Sequence, residues 1–296
     1  MNSLSGFIDY LKYEKRGSLN TVTSYTTDLE QFFAYLDQKF QITDIKDIDS
    51  KIIRTWIITL VEEGLSARSI NRKISSLKSF FKYHNRIKTI SYNPTQQITA
   101  PKIAKRLPEF VAQEDMERLF NEDLFADTYE GWRDRVIIEL FYSTGMRLSE
   151  LINLKFQDID FYEKSIKVLG KRNKERIIPL GNIAIEALRK YLLFFESEFG
   201  ETKKYLPIFV TSKANKIYPK AVYKIVRKYL DMVTTIDKRS PHVIRHTFAT
   251  HLLNNGADIN AIKEILGHSS LAATQVYTHN SIDKLKAIYK QAHPRA

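Results

Sequence analysis

Cysteine is missing from the 296-residue sequence. The chain can therefore have no disulfide framework, no cysteine-ligated zinc or iron–sulfur cluster and no thiol nucleophile. Nor does it contain a run of about 18 apolar residues, the length a membrane-crossing helix needs, so no membrane partner is expected. Met1 to Leu11 lacks a basic start followed by a long apolar stretch. No signal peptide is expected from that, and the cytoplasm is the expected compartment. A P-loop is lacking as well, because Gly170-Lys171 has no glycine five positions before Gly170. No carboxylate cluster suited to two-metal hydrolysis stands out, and neither does an internal repeat or a low-complexity segment. The expected cofactor is none.

What remains is the composition of a globular protein, 43% hydrophobic and 27% charged. The length suits two ordinary domains or one large one. Formal charge is +12 and the isoelectric point is near 9.5. Residues 1–106 hold 17 Lys/Arg against 10 Asp/Glu, a net of +7; the remainder hold 29 against 24, a net of +5. A basic chain with a denser basic half suits a polyanion, since each phosphate neutralised releases condensed counterions. Charge alone fits a merely soluble basic protein equally well.

The first hundred residues read as helical. From Thr21 to Leu36, the residues Val22, Tyr25, Leu29, Phe32, Phe33 and Leu36 recur at spacings of three and four, one face of an amphipathic helix. A second helix is expected after Ser66, an N-cap residue, and runs to about His84 with Ile70, Ile74, Leu77, Phe80 and Phe81 inward. Its polar side carries Arg68, Arg72, Lys78 and Lys82. Such a side is commonly only solvated, but on a DNA-binding protein it becomes a phosphate or groove contact. Between Ser91 and Pro108 the periodicity fails around Asn93-Pro94, Pro101 and Pro108. Lys102, Lys105 and Arg106 lie in this stretch, where an extended basic segment can track a phosphate backbone. The expected division is a helical domain over 1–100, a linker over 101–108 and a second domain over 109–296.

The second half mixes helices with a short sheet. Helices are expected over Arg133 to Tyr142, ended near Gly145, and from Leu148 to Leu154. Ser165 to Leu169 and Arg176 to Leu180 flank Lys171-Arg172-Asn173-Lys174 in a hairpin-like pattern. Further on, Ser240 and Pro241 suit the N-cap and first position of a helix. On that helix His242 and Arg245 lie three apart, on one face. Gly256 is the expected stop, Asp258 the cap of a further helix, and Gly267 its end, with His268 directly beyond. Ser269 or Ser270 would cap a last short helix with Tyr277 near its end. The chain thus folds back twice, which could gather His242, Arg245, His268 and Tyr277.

Each of these residues has a plainer reading. His242, His246 and His251 suggest a metal site, since the first two lie four apart, yet Val243-Ile244-Arg245 lacks the glutamate of a zincin pattern and its arginine repels a cation, so no metal is expected. An arginine is commonly a surface ion pair and a tyrosine a core residue. The ensemble carries the argument. Tyr142-Ser-Thr-Gly-Met-Arg147-Leu-Ser-Glu150-Leu, His242-Val-Ile-Arg245-His-Thr-Phe-Ala-Thr-His, and Leu266-Gly-His268 followed by Tyr277-Thr-His resemble the signature boxes of the tyrosine recombinase (phage integrase) family. The turn Gly170 to Arg176 resembles that family's lysine-bearing hairpin. The likeness spans essentially the whole chain and is greatest to the Xer branch, which resolves chromosome dimers. Ile244 departs from a common leucine, a conservative apolar change.

The resemblance implies a mainly α fold with a small β-sheet, in two domains: an N-terminal helical DNA-binding (SAM-like) bundle and a C-terminal α+β catalytic domain ending in an exchanged helix. It also implies the chemistry. Tyr277 would attack a phosphodiester, forming a 3′-phosphotyrosyl bond and releasing a 5′-hydroxyl. Only about one free tyrosine in a thousand is phenolate at neutral pH, so it needs a base or a strongly cationic setting. His242 is the family's candidate base, and in a first helical turn the dipole favours the neutral imidazole that accepts a proton. Arg147 and Arg245 would hold the phosphate, whose transition state gathers negative charge. Lys171 would protonate the leaving oxygen, an assignment that rests on family spacing since Arg172 and Lys174 lie close by. His268 would donate a further hydrogen bond, and Glu150 would orient its neighbours.

The implied partners are double-stranded DNA, three further copies or a paralogue in a homotetramer or heterotetramer on paired sites, and an FtsK-type DNA translocase. Ser281 to Gln291, with Ile282, Leu285 and Ile288 on one side, is the expected exchange helix. Other readings are an integrase of a mobile element, a type IB topoisomerase-like enzyme that acts alone on one strand, and a non-catalytic DNA-binding protein.

Overall fold

The computed structural model describes residues 2–103, 109–121, 123–170, 175–201, 203–267 and 287–295. Lys105, Arg106, Lys171, His268 and Tyr277 lie outside the described residues. The protein is mainly α-helical with one small antiparallel sheet. It divides into two compact units, Met1–Arg106 and Leu107–Ala296. Among the described residues no helix is long and apolar enough to cross a membrane.

The first unit is built from α1 (Asn2–Asp9), α2 (Leu19–Phe40), α3 (Ser50–Glu62) and α4 (Ala67–Arg86). Short polar caps set the starts. Ser18 Oγ accepts from Thr21 N at 3.2 Å, Asp49 from Lys51 N and Ile52 N at 2.8 and 2.9 Å, and Ser66 Oγ from Ser69 N at 3.3 Å. The first cap lengthens α2 beyond the stretch that periodicity predicts, and Gln41, in the left-handed region, ends it. The inward stripe is the expected one: Leu29, Phe32, Ile74, Leu77, Phe80 and Phe81 are fully buried. Phe80 meets Phe7 and Phe33 edge-on, with ring centroids 5.4 and 5.5 Å apart. Asp28 is buried on α2 and accepts from three residues of α4: Arg72, Lys73 at 3.3 Å and Ser76 at 2.9 Å. The aperiodic stretch after α4 is not loose at its start, since Ile90 and Ile98 are buried in the same core. Asn71 Nδ2 then donates to the Pro101 carbonyl at 2.9 Å.

The second unit is arranged around one helix. Among the described residues it holds α5 (Gln113–Asn121), α6 (Tyr129–Thr144), α7 (Leu148–Asn153), α8 (Asn182–Phe199), α9 (Pro219–Val233), α10 (Pro241–Asn254) and α11 (Ile259–Leu266). The sheet runs in the order β1 (Ile159–Asp160), β2 (Ser165–Leu169), β3 (Glu175–Pro179), antiparallel throughout. Val168 faces Arg176 and Leu169 faces Glu175 across the β2–β3 pair. Strand β1 is too short for an alternating pattern to reveal it. Helix α6 packs against α8 and α10, and every residue from Val136 to Met146 is buried. This stretch is buried on every side, its one charged residue, Glu139, being satisfied by Ser143 and Arg295. Gly145 ends α6 with φ +57°, and a Cβ there would sit 2.5 Å from Phe248 and 2.7 Å from Leu266, so only glycine lets α10 and α11 approach this closely.

Residues 287–295 dock on this same unit. Tyr289 and Ala292 are buried, and Asn255 Nδ2 donates to the Ala292 carbonyl at 2.8 Å. The His293 ring shares a 2.9 Å hydrogen bond with the Tyr142 carbonyl. Arg295 forms a fork with the fully buried Glu139 at 2.7–3.0 Å and lies 4.1 Å over the Phe120 ring.

Candidate active site

The sequence places two arginines 98 positions apart, and the fold brings them to one point, the end of α11. Asp258 starts that helix by accepting from Asn260 N and Ala261 N at 2.9 and 3.1 Å. Gly267 stops it at φ +63°. The last carbonyls of a helix have no partner within it. Here three successive ones are taken by three guanidiniums from three other elements. The Ile265 carbonyl accepts from Arg176 Nε at 2.9 Å, the Leu266 carbonyl from Arg245 Nη2 at 2.8 Å, and the Gly267 carbonyl from Arg147 Nη2 at 3.0 Å. Arg245 also donates to the Gly145 carbonyl. Cations at a helix C-terminus are favoured by the dipole as well as by these bonds.

Arg147 is the N-cap residue of α7. Glu150, one turn later, accepts from the Arg147 backbone N–H at 2.7 Å and from its Nη1 at 2.8 Å. The same carboxylate takes both ends of the Arg176 fork, at 2.7 and 2.8 Å. Burial alone would raise the Glu150 carboxyl, but the Arg176 hydrogen bonds and charge, joined by Arg147, hold it below the ordinary carboxylate value. Arg245 is lowered too, which in its case disfavours the charged form. Burial and then the neighbouring Arg147 lower its guanidinium to about 10, with Arg176 adding to the drop and Glu150 opposing it. It remains charged at neutral pH. Arg147 and Arg176 bond one carboxylate and Arg245 stands beside them, three guanidiniums near one negative charge, an arrangement that favours an incoming anion with paired acceptor oxygens.

His242 sits in the first turn of α10, after Ser240 and Pro241, with its side chain exposed. Ser240 holds the N-cap position with extended backbone, yet its hydroxyl makes no cap hydrogen bond. Among the described residues, no group of three or more histidine or carboxylate side chains is set to hold a metal. His251 is buried, bonded to the Tyr142 hydroxyl at 2.8 Å and the Val111 carbonyl at 3.0 Å, and burial lowers its basicity.

In the first unit, Arg68, Lys78 and Lys82 are exposed on α4, and Lys102 is exposed beyond it. Arg72 differs, because its guanidinium is engaged by Asp28 and the Ser24 carbonyl. Two features went unread in the sequence. Arg176 shares the inward face of its strand with Ile178, and a charge at an inward position is a legible signal for a buried partner. Lys220, Lys224 and Arg227 recur at i, i+4 and i+7 on α9 and line a groove with Lys238 and Arg239. Net charge hid them, since acidic residues elsewhere in the unit offset them; Asp231 itself pairs with Arg239 at 3.1 Å and Arg227 at 3.7 Å.

Comparison with known proteins gives the family. Residues 109–283 match the phage integrase family, and residues 4–88 match its N-terminal SAM-like domain. Tyrosine recombinase XerC of Chlorobaculum parvum is 37% identical over 317 residues, covering 99% of this chain and 94% of that relative. XerC of Oceanobacillus iheyensis is 39% identical, covering 98% and 95%. Among solved structures, XerH recombinase in a post-cleavage complex with palindromic difH substrate shares the fold, with a TM-score of 0.70 at 23% identity over 96% of this chain and 83% of that one. The chain belongs to the phage integrase family of tyrosine recombinases, enzymes that cut and rejoin DNA, and within it to the Xer type.

Proposed function

We propose that this recombinase cleaves and rejoins DNA through a 3′-phosphotyrosyl bond at Tyr277 and resolves chromosome dimers at a dif-like site. The observation that carries the reading is the convergence of Arg147 and Arg245 on the end of α11, one residue short of His268. The two guanidiniums grip the non-bridging oxygens of the scissile phosphate and meet the charge that grows as Tyr277 attacks. Losing one such donor typically slows a reaction about 100- to 1000-fold. His242 takes the phenolic proton, Lys171 protonates the departing 5′-oxygen, and His268 donates to the phosphate. The bond energy is kept in the phosphotyrosine, so a 5′-hydroxyl from another strand reverses the step and no cofactor is called for.

The exposed Arg68, Lys78, Lys82 and Lys102, with Arg72, Lys105 and Arg106, are the proposed phosphate contacts of an N-terminal DNA-binding domain over 1–100 and its linker over 101–108. Lys220, Lys224 and Arg227 extend the same role to the catalytic domain over 109–296. Four protomers act on two paired sites, either copies of this chain or copies with a paralogue, in the cytoplasm and under an FtsK-type translocase. The socket that holds Tyr289 and Arg295 supports a further part of the proposal: in the tetramer it receives the tail of a neighbour. Truncation after Thr278 then abolishes DNA-dependent assembly.

The central test is trapping on a nicked duplex carrying the recombination site, in which cleavage releases a short 5′-hydroxyl fragment and strands the covalent complex. A denaturation-resistant protein–DNA band that vanishes in Tyr277→Phe is expected. A band that persists in Tyr277→Phe overturns the assignment of the nucleophile. Relaxation of supercoils by a monomer, without pairing of sites, favours the topoisomerase-like alternative.

A further inference from the structure

We infer that Arg176 is a positioning residue for cleavage, fixing Arg147 through Glu150 and fixing the carbonyl row of α11 that Arg147 and Arg245 share. The inference rests on the reading above, in which those two arginines hold the scissile phosphate. Arg176 itself touches no DNA. Its side chain is 4% exposed, and its Nε, Nη1 and Nη2 are all engaged by protein oxygens.

The bonding is reciprocal. Glu150 Oε1 accepts from Arg176 Nη1 at 2.7 Å and Arg147 Nη1 at 2.8 Å, while Oε2 accepts from Arg176 Nη2 at 2.8 Å and the Arg147 backbone at 2.7 Å. Each carboxylate oxygen therefore carries one bond from each arginine. The planar fork of Arg176 fixes the plane of the carboxylate, and that plane fixes the guanidinium of Arg147. The other side of Arg147 rests on the Gly267 carbonyl, and Arg176 reaches that turn too. It bonds the Ile265 carbonyl, and its Nε and Nη1 lie 3.2–3.3 Å from where a Cβ at Gly267 would stand. Both supports of Arg147 thus lean on one buried side chain.

A buried ion pair is a poor way to gain stability, since apolar side chains of similar volume often serve as well or better. Its directional bonds are what apolar packing cannot supply. A misplacement near 1 Å costs about 100-fold in a reaction that depends on geometry. Lysine keeps the charge of Arg176 but cannot make a two-oxygen fork and a third bond from one plane.

The test uses the full-length chain on the nicked suicide duplex, measuring the rate of covalent-complex formation at saturating protein and, separately, the protein concentration giving half-maximal binding. For Arg176→Lys the saturated rate is expected to fall about 10- to 100-fold, with half-maximal binding within about threefold of the parent. A merely structural residue would shift binding and melting temperature and leave the rate of the bound, folded fraction intact. Glu150→Gln combined with Arg176→Met removes the buried pair while keeping a side-chain cap for α7; it is expected to fold, bind and cleave as slowly as Arg176→Lys. Parental saturated rates in either variant overturn the inference. Arg147→Ala is the control on the underlying reading. If Arg147→Ala cleaves normally, the phosphate assignment fails; if Arg147→Ala is slow and Arg176→Lys is not, the positioning role alone fails.

Discussion

Each unit buries a carboxylate that accepts from two cations, Asp28 in the first and Glu150 in the second, and the two are wired differently. Asp28 accepts from Arg72, Lys73 and Ser76, all within two turns of α4. It fastens α2 to α4, and its only onward contact beyond those helices among the described residues is through Lys73, 5.7 Å from the Trp56 ring on α3. Glu150 accepts from Arg147 on its own helix and Arg176 on β3, and both of those go on to carbonyls of α11. One carboxylate joins two helices; the other sets three elements at once around a point where an anion can be received. Both carboxylates are buried and each bonds two cations, so neither feature separates a fastener from a positioning device. The onward connections do.

Substitution at the two carboxylates should therefore break in different ways. The largest effect is expected for Glu150→Ala, which frees Arg147 and leaves Arg176 buried without its partner. Cleavage on the suicide duplex should fall by at least about 100-fold. Asp28→Ala should lower the denaturation midpoint of the first unit, at about 3–5 kcal/mol for a broken buried pair, while DNA-bound, folded protein cleaves at close to the parental rate. Next, Gly145→Ala places a Cβ against Phe248 and Leu266 in left-handed backbone, and about 3 kcal/mol of stability should be lost in a urea titration.

A third contrast is in acid. The His293 imidazole is pushed down to about 3, chiefly by burial and further by the nearby Arg295, against the hydrogen bond to the Tyr142 carbonyl. A folded value below the unfolded one means that the unfolded chain binds the extra proton first. Stability is full above about pH 6.5 and declines towards pH 3, by up to about 1.4 kcal/mol per pH unit for this group. His251, lowered in the same direction, adds to the slope. His293→Gln should flatten the pH dependence of the urea midpoint measured from pH 7 to pH 5. The smallest effect is expected at exposed cations. Lys78→Gln with Lys82→Gln should weaken binding uniformly across sequences and reduce the slope of log affinity against log salt by about 2, if each meets one phosphate.

The helical stripes of α2 and α4, the β2–β3 hairpin and the stops at Gly145 and Gly267 were legible because each is written in local periodicity or in residues with special backbone freedom. Arg147 and Arg245 were legible through ordered motifs. The role of Arg176 was not, because it depends on a carboxylate 26 positions away and on the carbonyls of a helix that folds back from beyond position 258. Arg72 and Lys78 look alike on a helical wheel, and only the position of Asp28 on another helix separates them. Charge reads along the chain, whereas pairing is decided across it.

Helix α6 has a consequence for motion. From Val136 onward every one of its residues is buried, so this stretch offers no outer face on which a neighbour could slide or a turn could loosen. Its amides should exchange with solvent only when the whole unit opens, whereas helix ends and loops exchange through local fraying. Elements that rearrange during strand exchange must then turn about α6 as bodies about an axle. The slowest-exchanging amides of the unit should mark that axle from Ile137 to Tyr142.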